Sequence, residues 1–326
     1  MKRITFLLGA AGVSVCTALP INAQTAAPFP SRPVTLVVPF TPGSGSDTIA
    51  RIIGPKLSAR WGQPVVVDNK PGASGNIGNQ AVARAAPDGH TLLMAINTIT
   101  VTPAIYRNLP YDPMRDFSPV AKLAEANFTL AVTPSLPVQD VQSLIAYGKS
   151  HPGQLNYATP GNGTPHHMAM ELFKANYGIF MVHVPYKGIS GALTDLMGGQ
   201  VQLMFASVPS VNTQAQAGKM RLVAVTGERR SGQVPEVRTF REQGFPAMEA
   251  IDAWYAVLAP ARMPAELVQR LNRDFTEVIN TPEVKAELER QGLQVRTGTS
   301  AQLADLMRTD LARWQKLVDR AGIKAD

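Results

Sequence analysis

The 326-residue chain contains a single cysteine, Cys16. It sits inside an apolar N-terminal stretch, so the rest of the chain can form no disulfide and relies on its core for stability. Long hydrophobic runs are also missing. Beyond Leu19 nothing approaches the roughly 20 apolar residues that a membrane-spanning helix needs. Aromatic residues make up 6% of the chain and charged ones 17%, with no basic stripe interleaved with aromatics, which argues against nucleic-acid binding. His90, His151, His166, His167 and His183 show neither His-x-His nor His-Glu-x-x-His spacing, so no structural or catalytic metal is expected. Ser74 and Ser190 lie among glycines without completing a Gly-x-Ser-x-Gly elbow. No acid, base and nucleophile can be assigned, and the chain reads as a non-enzyme without a cofactor. An exported hydrolase using Ser44 or Ser46 would need a base that the sequence does not identify.

What is present starts with Met1-Lys2-Arg3, an apolar segment from Ile4 to Leu19, and Ile21-Asn22-Ala23. Residues 1–23 have the layout of a secretory signal, with cleavage expected after Ala23 and the periplasm as destination. Val15 precedes Cys16 where a lipoprotein signal wants Gly, Ala or Ser, which disfavours a lipid anchor. Removing Lys2 and Arg3 lowers the formal charge from +7 to +5.

The mature length suggests two domains. Short apolar strands such as Val34 to Phe40, Val65 to Val67 and Thr91 to Ala95 alternate with amphipathic helices, the pattern of an open, mostly parallel α/β sheet. One helix is expected from Asp47 to Trp61, kinked or broken at Pro55. A second set of alternating elements starts near Thr129. Crossovers near Asn127 and Ile251 would make the first domain discontinuous, 24–127 with 252–326, around an inserted domain of residues 128–251. Two crossovers make a hinge.

Two glycine-rich junctions join strand to helix: Pro42-Gly43-Ser44-Gly45-Ser46-Asp47 and Pro160-Gly161-Asn162-Gly163-Thr164-Pro165. A helix opening there leaves first-turn N–H groups aimed at whatever lies above them, where the helix dipole favours an anion. Thr48 occupies the place where a dinucleotide fingerprint needs its third glycine, and no Gly-Lys-Ser/Thr ending is present, so nucleotides are excluded. The plain alternative is a tight turn with Ser46 as helix cap. Thr164 suits the cap of a helix whose first residue is Pro165. Adjacent helical residues point about 100° apart; of His166 and His167, His166 is the one read as facing the cleft. Asn97, Thr98, Tyr186, Lys187 and Ser207 follow strand ends, where an α/β sheet presents its ligand side.

The run of motifs resembles the Bug-type periplasmic receptors of tripartite tricarboxylate transporters. It is carried by Arg32 to Phe40, the first junction through Asp47, Val67-Asp68-Asn69-Lys70-Pro71-Gly72-Ala73-Ser74-Gly75-Asn76-Ile77-Gly78, Tyr111-Asp112-Pro113, Gly161 to Thr164, Val184 to Gly188, Gly198 to Val201 and Ala259-Pro260. The resemblance implies a two-lobed binding protein, joined by a two-crossover hinge, that closes on a small organic carboxylate. In such receptors backbone N–H groups and waters of two loops grip the carboxylate, and the ligand passes to membrane permease subunits. A carboxylate sensor feeding a two-component receptor is the alternative role, and a monomer is expected. Together, residues and resemblance assign the ligand site to Pro42, Gly43, Ser44, Gly45, Ser46, Asp47, Asn97, Thr98, Thr159, Gly161, Asn162, Gly163, Thr164, His166, Tyr186, Lys187, Ala206 and Ser207. Three positions depart from the family pattern. Gly43-Ser44-Gly45-Ser46 stands where three glycines and a threonine are common, His166 where a small polar residue is common, and Ala206 where an aspartate is frequent. The last two point to a ligand without an amino group, a plain dicarboxylate or an aromatic carboxylate.

Overall fold

The computed structural model describes residues 29–106, 108–186, 188–248 and 252–321. The expected signal, Lys187 and the expected crossover at Ile251 lie outside the described residues.

The first third alternates strand and helix: β1 (Val34–Val38), α1 (Gly45–Trp61), β2 (Val65–Asn69), α2 (Asn76–Ala83), β3 (Thr91–Ile96) and α3 (Thr98–Ile105). β1 pairs in parallel with β2 on one side and β3 on the other. Its apolar run, with three of its residues at 0% exposure, is that of a strand covered on both faces. Helix α1 continues through Pro55 without a break. The missing proline N–H weakens one turn, but Ile49, Ile53 and Leu57 on the buried face, all at 0% exposure, hold the helix together by tertiary packing.

A single 16-residue strand follows, β4 (Phe117–Val132). The middle of the chain then adds α4 (Val141–Ser150), β5 (Asn156–Thr159), α5 (Pro165–Tyr177), β6 (Val182–Pro185), α6 (Ile189–Met197), β7 (Leu203–Ser207), α7 (Val208–Gln216) and β8 (Arg221–Val225). The last part supplies β9 (Asp252–Pro260), α8 (Ala265–Ile279), α9 (Pro282–Arg290), β10 (Gln294–Gly298) and α10 (Ser300–Ala321).

β4 belongs to two sheets. From Phe117 to Asn127 it pairs with antiparallel β9, and Lys122 to Glu125 also face β10; from Phe128 to Val132 it pairs with β7 and β8. The first sheet therefore runs β2-β1-β3-β9-β4-β10 and the second β8-β4-β7-β5-β6. In the second sheet β5, β6, β7 and β8 share one direction and β4 opposes them; in the first, β1, β2, β3 and β4 share one direction against β9 and β10. Each sheet with its helices is a lobe, and the chain passes from the first to the second within β4 and returns before β9. The result is the two-lobed α/β architecture with a two-crossover hinge.

One apolar core runs through both lobes because β4 carries it across, with Ala126, Phe128 and Leu130 in the same cluster as Leu36 and Phe173. A separate cluster of Val101, Ile105, Met168, Trp314, Leu317 and Val318 joins α3 and α10 of the first lobe to α5 of the second. Among the described residues no helix is long and apolar enough to cross a membrane.

Phe173 is wholly buried and meets Tyr177, Phe205 and Phe240 edge-on at centroid distances of 5.1, 6.4 and 6.2 Å. Phe173→Ala leaves a cavity in the second lobe and is expected to cost about 3–5 kcal/mol in urea unfolding, against about 1 kcal/mol for the volume-conserving Phe173→Leu.

Candidate functional site

The first junction connects β1 to α1. Ser44, in extended conformation, caps α1 by accepting from the Asp47 N–H, so the cap is Ser44 and not Ser46. Asp47 is turned inward, at 3% exposure. Its carboxylate accepts from the Gly43 N–H at 2.9 Å, from Asn69 Nδ2 at 2.9 Å and from Arg51 Nε at 2.9 and 3.0 Å. Burial alone raises a carboxyl pKa, but here the Arg51, Gly43 and Asn69 bonds outweigh it and hold Asp47 below its ordinary value. Asp47 thus holds the loop from within. With Gly43 bound to Asp47 and Ser44 N–H bound to the Thr41 carbonyl, the N–H groups of Gly45 and Ser46 remain without a partner among the described residues. They are the first two of the helix, the groups a helix cannot satisfy itself. Pro42 precedes them and has no N–H to offer. A Cβ on Gly45 would lie 2.2 Å from the Tyr255 hydroxyl, so this glycine lets β9 close against the loop.

The second junction connects β5 to α5. Thr164 caps the helix, accepting from the His167 N–H at 3.4 Å, donating to the Gly161 carbonyl at 2.8 Å, and Pro165 takes the first helical position. Thr159 is fully buried; its Oγ1 lies 3.3 Å from the Gly161 N–H and 2.7 Å from His183 Nε2. The Gly163 N–H donates to His167 Nδ1 at 3.0 Å. Asn162 and His166 therefore keep the N–H groups without a partner among the described residues. Each lobe offers two.

Beneath this loop His167 and His183 stack at 4.1 Å, and His183 stacks on Tyr157 at 4.9 Å. Glu171 accepts from the Tyr157 hydroxyl and from Lys174 Nζ and lies 3.9 Å from His167 Nε2. Burial, with a smaller contribution from Lys174, pushes His167 down to about 4. Burial and the neighbouring His167 push His183 down to about 3, Glu171 opposing and Lys174 reinforcing. Both are neutral at physiological pH, as His167 must be for Nδ1 to accept from Gly163.

The remaining residues divide. Thr98 opens α3 at 1% exposure, and its Oγ1 has no hydrogen-bond partner; neither has the buried Nδ1 of His166. The His166 ring packs on Phe128 at 4.7 Å, at the point where β4 changes sheets, and burial pushes it down to about 4. Asn97 precedes α3, its N–H bound to the Trp254 carbonyl at 3.3 Å. Tyr186 turns its hydroxyl to Asp195 Oδ2 at 2.6 Å, and burial together with that bond pushes it up to about 12. Ser207 precedes α7 and bonds Ser210. Ala206 is fully buried in an apolar cluster with Ala131, Ala158 and Leu196. Its methyl adds no polar group beside the second junction.

Sequence reasoning missed the residues that act behind these: Arg51 and Asn69 on Asp47, His183 under Thr159, and His167, set aside in favour of its neighbour. It also missed where the lobes touch. A Cβ on Gly163, whose φ is +68°, would lie 2.1 Å from Ile105 Cδ1 of α3, and Ser74 Oγ donates to the Asn162 carbonyl at 2.8 Å.

Gly163→Ala is expected to wedge the lobes apart as well as to cost about 1–2 kcal/mol for a left-handed alanine. Ligand affinity, read by calorimetry, should fall at least tenfold, and Ile105→Ala should restore part of the loss. The histidine pair adds a pH dependence. Because its folded pKa values lie below the unfolded value of about 6.5, its stabilisation is complete above that pH and is lost as pH falls toward 4. Thermal melts between pH 7 and 4 should show a decline that is shallower in His167→Gln.

The TctC family profile, "Tripartite tricarboxylate transporter family receptor", matches residues 49–323. A UPF0065 protein of the tcbD–tcbE intergenic region in a Pseudomonas species is 39% identical over 310 residues, covering 94% of this chain and 92% of that protein. BugT of Bordetella pertussis is 32% identical, covering 99% of each. Among solved structures, an R. palustris protein determined with adipate has a TM-score of 0.82 and 36% identity, covering 91% of this chain and 99% of that one. MatC from Rhodopseudomonas palustris, with bound malate, has a TM-score of 0.79 and 32% identity over 89% of this chain and 100% of its own. By profile, by full-length sequence similarity and by fold, the chain belongs to the tripartite tricarboxylate transporter family of receptors.

Proposed function

We propose that this receptor captures a small organic carboxylate, a dicarboxylate foremost, between its lobes and delivers it to the permease subunits of a tripartite transporter. The observation that carries the reading is the set of four N–H groups without a partner among the described residues, Gly45 and Ser46 on one lobe and Asn162 and His166 on the other. Each set lies at the start of a helix, where the dipole favours negative charge. Among the described residues neither loop places a free cationic side chain beside them: Arg51 is bound to Asp47. The grip is therefore dipolar and reads a carboxylate without fixing the rest of the molecule.

Thr98 Oγ1 and His166 Nδ1 are the polar atoms left for the far end of the ligand. A hydroxyl and a neutral imidazole can donate to a second carboxyl or exchange hydrogen bonds with a hydroxyl group, and neither carries the negative charge that would offset a buried ammonium. The two relatives with adipate and malate are consistent with that class. The chain acts, in this reading, as a periplasmic monomer freed of its leader after Ala23. Residues 128–251 form the inserted domain, and 24–127 with 252–326 form the other.

Ligand-stripped protein at an acid concentration of about 100 times the dissociation constant should gain about 2.7 kcal/mol, a rise of several degrees in melting temperature. Adipate, malate and a panel of aromatic carboxylates are the probes. No shift with any of them at millimolar concentration would overturn the reading.

A further inference from the structure

The segment Asn69 to Gly78 is prominent in the sequence yet supplies none of the groups assigned to the carboxylate. Its contacts run to both junctions. Asn69 Nδ2 donates to the Phe40 carbonyl at 3.0 Å and to Asp47 Oδ1 at 2.9 Å, and the Lys70 N–H bonds the Val38 carbonyl at 2.8 Å. Further along, a Cβ on Gly78 would lie 2.8 Å from the Pro39 backbone, so α2 presses directly on the entry to the first junction. At the far end Ser74 reaches the second junction.

Ser74 is held in an unusual way. Its φ is +56°, and Ala73 before it has a φ of +47°, two successive non-glycine residues in the left-handed region. Such a conformation is strained for residues that carry a Cβ and persists where surrounding contacts impose it. Here it aims the side chain across the interface: Ser74 Oγ lies 2.8 Å from the Asn162 carbonyl and 3.0 Å from the Tyr106 hydroxyl. A serine hydroxyl has one proton, and it goes to the carbonyl, so Tyr106 donates to Ser74. The result is a relay from Tyr106 through Ser74 to Asn162.

The carbonyl of Asn162 and the N–H of Gly163 belong to one peptide group. Ser74 of the first lobe holds its oxygen, and His167 of the second holds its N–H. We propose that Ser74 is a positioning residue for ligand capture: it latches the closed lobes by gripping the Asn162–Gly163 peptide and so fixes the orientation of the second anion loop. The proposal rests on the carboxylate reading for its link to capture, while the latch itself is a property of the protein alone. The bond forms only when the lobes meet, so it slows ligand escape and leaves the encounter with the open form unchanged. The strap from Asn69 to Ser74 then ties the first loop, through Asp47, to the state of the second.

The test uses Ser74→Ala and Ser74→Gly. The glycine variant removes the hydroxyl and relieves the backbone at once, so it keeps the test available if the alanine variant does not fold. With adipate as probe, stopped-flow kinetics should show dissociation faster by roughly three- to tenfold, the worth of one neutral hydrogen bond, with association unchanged. Tyr106→Phe should show a smaller change in the same direction. The single cysteine lies at Cys16, in the expected leader, so Val66→Cys on β2 and Val182→Cys on β6, both exposed, take a spin-label pair cleanly on the outermost strands of the two sheets. Without any ligand, Ser74→Gly should move population from the short to the long distance. An unchanged distance distribution, or slower association with unchanged dissociation, overturns the latch. Loss of adipate binding in the unsubstituted protein overturns the carboxylate reading instead and leaves the ligand-free distance measurement as the judge of the latch.

Discussion

A backbone N–H left open for a ligand, as proposed for both glycine-rich loops, has to be kept from the protein's own acceptors, and the internal pairing of the two loops meets that constraint. In a glycine-rich turn many acceptors lie within reach. Here the competing groups are paired with each other: Asp47 takes the Gly43 N–H, Thr159 is placed against that of Gly161, and His167 takes that of Gly163. What is left over is Gly45 with Ser46 and His166, in first helical turns that cannot satisfy them locally, and Asn162 in the turn leading into α5. Each internal acceptor is itself pinned: Asp47 by Arg51 and Asn69, His167 by its stack on His183. The neutrality of that stack is a requirement of the design, because a protonated His167 offers Gly163 no lone pair.

The two loops act on one ligand only if the sheets that bear them are held in register across a gap. β4 provides that continuity. Its backbone passes from one ladder to the other between Asn127 and Phe128 without leaving extended conformation. The apolar cluster follows it, so the hinge is itself part of the core. Beside it α3, α5 and α10 bring an apolar contact between the lobes. His166 packs on Phe128, so a side chain at the ligand loop senses the very residue at which the chain changes sheets.

Legibility in the sequence followed locality. Thr164 as cap with Pro165 after it and the strands leading into both junctions express themselves within a few residues. The first half of β4 did not, because Lys122 and Glu125 interrupt its apolar pattern and pair with each other. Helix α7 opens with Val-Pro-Ser and carries no strong periodicity, and β10 has two exposed residues in five. The site was legible at the level of which loops, since glycines next to a helix start are a local signal. It was not legible at the level of which atom. Nothing in a one-dimensional reading distinguishes an aspartate that grips a ligand from one that grips Gly43 four residues earlier, nor a histidine facing a cleft from the adjacent one facing a buried glutamate.

Specificity and affinity are therefore carried by different parts of the molecule. The dipolar grip depends on backbone geometry, and that geometry is set by residues away from the ligand. It tolerates change in the ligand but not in the glycines: any side chain at Gly45 meets Tyr255, and any at Gly163 meets Ile105. In the proposed reading discrimination falls to Thr98 and His166, whose unpartnered polar atoms pose a demand that a suitable ligand group must meet. A ligand lacking such a group leaves two buried polar atoms unsatisfied on closure, so the closed state is penalised most for ligands that fit the carboxylate grip alone. On the proposed reading, recognition is then a condition on closing: the first contact is permissive, and the selection comes when the lobes shut.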